Sequence, residues 1–203
     1  MHNVSTYIAS GILEMYVMGM TSPQESEEVE KMATLHQEVR DEIEAIGSAL
    51  EKYSQVNAVE PHGTVKPLLM ATIDYIQRLT NGEAPANPPM LNENSKSDDF
   101  SEWLTRVDMK APDEIEEIFV KLIAHTPQAT TGIVWIKNMA PHEVHHNEFE
   151  RFLILEGTCD IFVGEEVHKL VPGNYFQIPL HAGHRVVVTS DVPCKVILQR
   201  VAA

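Results

Sequence analysis

The first eighty residues repeat apolar positions at the three- and four-residue spacing of an amphipathic helix. This spacing first holds over residues 4–17. The segment Ser22-Pro23-Gln24-Glu25 is a capping box with proline at the first helical position, so it predicts the start of a second helix. The apolar stripe then continues with a bend near residues 34–36, and Pro67 opens a last short helix. Residues 1–80 are therefore predicted to form a small all-α domain.

The pattern changes after this helical part. Residues 81–97 are rich in Pro, Asn, Ser and Gly, which is typical of a linker. Short β-branched runs with Gly and Pro at the turns follow, and their tight spacing predicts a closed barrel or double-sheet jelly roll over residues 98–203. The fold class is thus α+β and multi-domain. The candidate strands are 119–125, 132–138, 151–155, 159–163, 166–170, 175–178, 185–189 and 195–200.

Charge and hydropathy narrow the functional classes. The formal net charge of -15 repels phosphates and anionic membrane surfaces, so we expect no direct nucleic acid binding, and a basic protein partner suits the chain better. No apolar run is long enough for a membrane span. The N-terminus has no basic region, and Glu14 interrupts its apolar stretch, so we expect no signal peptide and a cytoplasmic protein.

The two cysteines, Cys159 and Cys194, lie in apolar runs that look like strands. We interpret them as buried free thiols that pack as small hydrophobic residues, with a disulfide or redox pair as the alternative.

Six of the ten histidines fall between residues 142 and 184, together with several carboxylates. Residues two apart on a strand share a face, so Glu143 and His145 can both point into a barrel. Glu150 follows after a turn, and His184 comes from a distant strand. Imidazole and carboxylate groups are ligands for zinc, iron, manganese or nickel, and this set does not select one of them. A lone histidine here would instead be a surface or hydrogen-bonded residue.

Two motifs in this half resemble those of the cupin family. Glu150 is followed by Gly157 as in the end of the first cupin motif, and Gly173-x5-Pro179-x4-His184 resembles the second motif. Residues 98–203 therefore resemble a single cupin domain.

The resemblance implies one divalent metal in the barrel, with zinc as the first choice and iron, manganese or nickel as alternatives. It implies the ligands His145, Glu150 and His184. Glu143 stands where the family has its first histidine. Three further histidines are substitute ligands: His142, His146 and His181. His146 would take the place of His145 if the motif were shifted by one residue, and His181 stands where a glycine is common.

The helical part resembles an anti-sigma domain. The resemblance rests on the segment Tyr7-Ile-Ala-Ser-Gly-Ile-Leu-Glu14, on the cap at residues 22–25 and on the acidic helix after it. Members with zinc carry His-x3-Cys-x2-Cys in that helix. Here His36 is kept, but Arg40 and Ile43 replace the cysteines, so we expect no zinc in this domain.

A helical anti-sigma domain followed by a cupin is the layout of ChrR-type bacterial anti-sigma factors. The resemblance implies a transcription regulator of a stress response that binds an extracytoplasmic-function sigma factor, while the cupin senses a signal such as an oxidant. The helix residues expected at the partner are Tyr7, Ile8, Ile12, Leu13 and Tyr16. The alternative is a metal-dependent cupin enzyme of the dioxygenase or isomerase type, whose helices serve oligomerisation. The sequence leaves the oligomeric state open, and a homodimer is one option.

Overall fold

The computed structural model describes residues 3–203, and the chain divides between Glu60 and Pro61 into two compact units. The first unit is helical. The predicted helix over residues 4–17 is broken at Gly11, whose φ of 84° is accessible to glycine and costly for other residues. The capping box is confirmed, because the Glu25 carboxylate accepts the backbone N–H of Ser22 at 2.8 Å and the Ser22 hydroxyl accepts that of Glu25 at 3.3 Å. The helices are α1 Val4–Ile8, α2 Ile12–Val17, α3 Pro23–Leu35 and α4 Gln37–Val56.

The core of the helical unit is small. Only three of its apolar side chains within the described residues are fully buried, namely Leu13, Val29 and Val39. The other four residues expected at a partner lie partly buried against this core: Tyr7, Ile8, Ile12 and Tyr16. All five candidates therefore contribute to the unit's own packing.

The second unit is built on two antiparallel sheets. One has the strand order β1-β2-β9-β4-β7 and the other β3-β8-β5-β6. All eight predicted strands are present, with some ends shifted. Strand β3 was not predicted, because Pro141 interrupts it and none of its residues is fully buried. The strands are β1 Ile118–His125, β2 Ala129–Ile136, β3 Met139–Glu143, β4 Glu148–Glu156, β5 Cys159–Val163, β6 Glu166–Leu170, β7 Tyr175–Ile178, β8 His184–Val188 and β9 Cys194–Ala202.

Helix α5, Val65–Thr80, lies in the second unit and not with the other helices. Its apolar face, with Ala71 and Tyr75 buried, joins the hydrophobic core between the two sheets. A helix that buries its stripe on a sheet gains more than it can gain alone, which explains why the division falls before α5 and not near residue 80.

The segment predicted as a linker, residues 81–97, lies on the outer face of the five-stranded sheet. Leu91 is fully buried, and its N–H donates to the side-chain oxygen of Gln199 at 2.7 Å. The amide of Gln199 donates in turn to the carbonyl of Pro89 at 2.8 Å. Helix α6, Ser101–Leu104, and the 3-10 turns Ser97–Phe100 and Val107–Met109 continue this cover.

Both cysteines are confirmed as buried free thiols, and they pack in the core between the sheets. No helix in the described part of the chain is long and apolar enough to cross a membrane.

Candidate metal centre

Four side chains from separate parts of the second unit converge at one point. Glu143 ends β3, His145 follows it in the loop, Glu150 lies on β4 and His184 begins β8. Each offers one donor atom, and these four atoms all lie within 4.8 Å of one another. Glu150 and His184 are both 3% exposed. The pairing of β3 with β8 sets Glu143 opposite His184, so the sheet itself brings two of the four together.

The donor atoms face each other closely. Nε2 of His184 lies 2.9 Å from Oε2 of Glu150. Nε2 of His145 lies 3.5 Å from the same oxygen and 3.4 Å from Oε2 of Glu143. This Nε2 is buried, yet it makes no hydrogen bond of normal geometry. A buried polar atom without a partner is costly, and a bound cation would satisfy it, so the four residues fit a metal ion.

Each imidazole of the cluster has a second contact that holds its ring. Nδ1 of His184 lies 3.4 Å from the carbonyl oxygen of Ala182, so it can donate there and leave Nε2 free as a ligand. Nδ1 of His145 lies 3.7 Å from Oε1 of Glu148. Such outer contacts fix the tautomer and orientation of metal-binding histidines.

Arg200 is a member of the site that the sequence reading did not find. Its Nε donates to Oε1 of Glu150 at 3.1 Å, and its Nη2 donates to Oε2 of Glu143 at 2.9 Å. The register of β4 against β9 pairs Glu150 with Arg200 directly. One signal was available: Arg200 continues the inward alternation of Val196 and Leu198 along β9, where a charged residue needs a partner.

The electrostatics of the centre favour its charged forms. Burial alone would raise the pKa of Glu150, but the close contacts of His145 and His184 and the charge of Arg200 hold it well below its usual range. Burial also opposes ionisation of Glu143, and His145 and Arg200 together lower its pKa. Glu143 and then Glu150 raise the pKa of His145 to about 9. Without a metal, His145 therefore carries a proton at neutral pH.

The three substitute ligands lie outside this cluster. His142, His146 and His181 are exposed. Nδ1 of His146 lies 2.9 Å from Nδ1 of His181, so the two rings share one hydrogen bond. His181 has a φ of 61°, the left-handed conformation that explains why a glycine is common there. The structure thus turns His145 and not His146 toward Glu150.

Two cavities border the centre. The inner cavity lies between the sheets and is mostly apolar, with Glu150 and His184 at its polar end and Leu68, Val120, Phe152 and Leu198 among its walls. The outer cavity is an open depression lined by His62, His142, Glu143, Val144, His145 and Arg200. The centre is therefore accessible from solvent on one side and borders an apolar space on the other.

One family model and several solved structures resemble this chain. Residues 135–199 match the family model described as Cupin domain. KdgF from Halomonas sp. is 21% identical, with 48% of this chain and 94% of that one covered and a TM-score of 0.42. The Cnp3 cupin domain of Schizosaccharomyces pombe is 12% identical, with 44% and 67% covered and a TM-score of 0.42. A cupin-2 domain containing protein from Shewanella frigidimarina is 19% identical, with 43% and 84% covered and a TM-score of 0.39. None of the curated proteins matches the chain.

The C-terminal region therefore contains a cupin domain, by the match of residues 135–199 to the family model. It carries a Glu-His-Glu-His group that can hold a metal ion. The chain as a whole is a multi-domain α+β protein with a helical N-terminal region.

Proposed function

We propose that the cupin domain binds one divalent metal ion through Glu143, His145, Glu150 and His184, and that the protein regulates transcription in response to a signal at this centre. The observation that carries the proposal is the convergence of four donor atoms within 4.8 Å around a buried imidazole nitrogen that lacks a partner. Two imidazoles and two carboxylates suit four-coordinate zinc, and iron, manganese and nickel accept the same donors. A bound metal would supply a Lewis-acid centre beside these residues.

The regulatory part of the proposal assigns the helical unit to a partner. That unit is compact on its own, buries little apolar surface and resembles an anti-sigma domain, so an extracytoplasmic-function sigma factor is the proposed partner. The acidic chain suits basic sigma surfaces, because complementary charge speeds encounter. We propose a cytoplasmic site of action, where such a factor is found.

The test uses the full chain, purified with and without zinc. We expect it to form a complex with at least one sigma factor of its cell and to inhibit transcription by that factor. The complex should weaken when the metal centre is altered, because only differential binding to two states can release a partner. If no sigma factor is captured in either state, the regulatory assignment is wrong.

A second candidate is a metal-dependent enzyme, and the inner cavity favours it. An apolar space that opens onto Glu150 and His184 can hold a small substrate beside the metal. Oxygen consumption by the iron-loaded protein, measured with a panel of small acids and sugars, tests this candidate. Turnover with any of them would favour the enzyme, and then the helices would serve oligomerisation in a homodimer.

A further inference from the structure

The segment 62–64 begins the second unit directly after the division of the chain, and it lies along the end of β3. Nε2 of His62 lies 3.2 Å from the carbonyl oxygen of His142. Gly63 is so near Pro141 that an added Cβ would lie 3.7 Å from the proline ring. Thr64 lines the inner cavity together with Glu143. Residues 62–64 thus lie beside residues 141–143, the last of which is the proposed metal ligand Glu143.

The ring of His62 is oriented by its neighbours. A carbonyl can only accept, so Nε2 carries the proton that it shares with His142. Nδ1 lies 2.9 Å from the hydroxyl of Thr64, and against the effect of burial a hydrogen bond from the Thr64 side chain helps to lower the pKa of Glu143. The same Nδ1 lies 3.7 Å from Oε1 of Glu143, whose other oxygen, Oε2, accepts from Arg200. The Glu143 carboxylate is therefore held between Arg200 on one side and segment 62–64 on the other.

We propose that segment 62–64 positions Glu143 in the metal centre, so that metal occupancy is coupled to the order of the junction between the two units. This inference rests on the proposed function, and it names how the centre would regulate the helical unit. A metal ion that binds Glu143 fixes the carboxylate that His62 and Thr64 contact. Loss of the ion removes this hold on Glu143 and loosens the junction.

Linkage makes the coupling reciprocal. A partner that fixes the junction must change metal affinity by the same factor by which the metal changes partner affinity. The coupling needs no contact between the helical unit and the barrel, because the segment itself belongs to the second unit and continues the chain of the first.

The test is hydrogen exchange of the full chain with and without zinc, read at the backbone amides of residues 62–66. The wild type is compared with His62→Ala and with His168→Ala, a matched control on β6 away from the centre. Zinc should slow exchange in the wild type and in the control by about fivefold or more, the range of a coupling of about 1–3 kcal/mol. In His62→Ala the zinc effect should fall below about twofold, on the same scale of coupling.

Two further variants separate positioning from folding. His62→Gln keeps an amide donor for the His142 carbonyl, so it should recover most of the zinc effect. Thr64→Val keeps the shape and removes the hydroxyl, so it should lose part of the effect even if His62→Ala does not fold. Zinc bound to the wild type without any change at residues 62–66, or with the same change in His62→Ala, would overturn the coupling alone. A wild type that binds no zinc would overturn this inference and the proposed metal centre together.

Discussion

Two pairs of histidines lie within a few residues of each other and have opposite surroundings. His145 and His184 face the buried carboxylates Glu143 and Glu150, while His146 and His181 are exposed and bond each other. Residue type is the same in both pairs. Neighbouring carboxylates and burial, and not imidazole density, therefore define the candidate metal centre of this barrel. Substitutions at the buried and at the exposed positions test this difference between the two histidine pairs.

Loss of the buried carboxylate should have the largest effect. Glu150→Gln removes a charged donor that lies near both inner imidazoles. We expect zinc affinity to fall by more than about 100-fold, the upper range for losing an outer contact of a metal ligand. Glu156→Gln, at the exposed end of the same strand, is the control and should bind zinc normally. Chelator competition measures the zinc dissociation constants of both variants, and equal values would remove Glu150 from the centre.

Substitution of Arg200 tests whether the buried carboxylates Glu143 and Glu150 depend on its positive charge. Arg200→Gln leaves Glu143 and Glu150 buried without it, and breaking such a pair is strongly destabilising. Because the side chain is 21% exposed, we expect a loss of about 2 kcal/mol in the free energy of unfolding of the metal-free protein. Arg185→Gln, exposed on β8, should stay within about 0.5 kcal/mol. Urea denaturation gives both values, and equal losses would contradict the role of Arg200.

Metal binding should depend on pH because His145 must lose a proton before it can act as a ligand. Its pKa is raised to about 9 by Glu143 and Glu150. Between pH 6 and 8 the metal-free site is protonated, so one proton should be released per ion and zinc affinity should rise about tenfold per pH unit. Titrations in buffers of different ionisation enthalpy count the protons. An affinity that is flat over this range would contradict the charged state of His145.

The same shift has a consequence for the stability of the metal-free protein. The folded pKa of His145 lies above its ordinary value of 6.5, so its ion pairs stabilise the fold fully below about pH 6.5. That contribution is lost as the pH rises through about 9.

The exposed pair should give the smallest effect. His146→Ala removes one shared hydrogen bond at the surface, so zinc affinity should change by less than about twofold and stability by less than about 0.5 kcal/mol. A large loss of affinity, measured by the same chelator competition, would move His146 into the centre.

Sequence patterns predicted the elements of this protein better than their grouping. Alternation located eight strands, and the cap at Ser22 located α3, because both are local properties of the chain. The assignment of α5 to the barrel and the docking of Leu91 depend on contacts between distant residues, which no local pattern contains. Composition alone made residues 81–97 look like a linker.

The candidate site divides in the same way. The four inner residues could be proposed from spacing on strands and from the cupin motifs, and the structure brings them together. The choice between His145 and His146 needed the register of the loop after β3, since one residue of shift reverses the face. Arg200 and His62 reach the site only through strand pairing and through the junction, so their contacts with Glu143 could not be read from the sequence.

The most direct measurement is the zinc content of three purified proteins after dialysis, determined by elemental analysis: the wild type, His184→Ala and His181→Ala. We expect one ion per chain in the wild type and in His181→Ala, and none in His184→Ala. One ion in all three, or none in the wild type, would contradict this expectation.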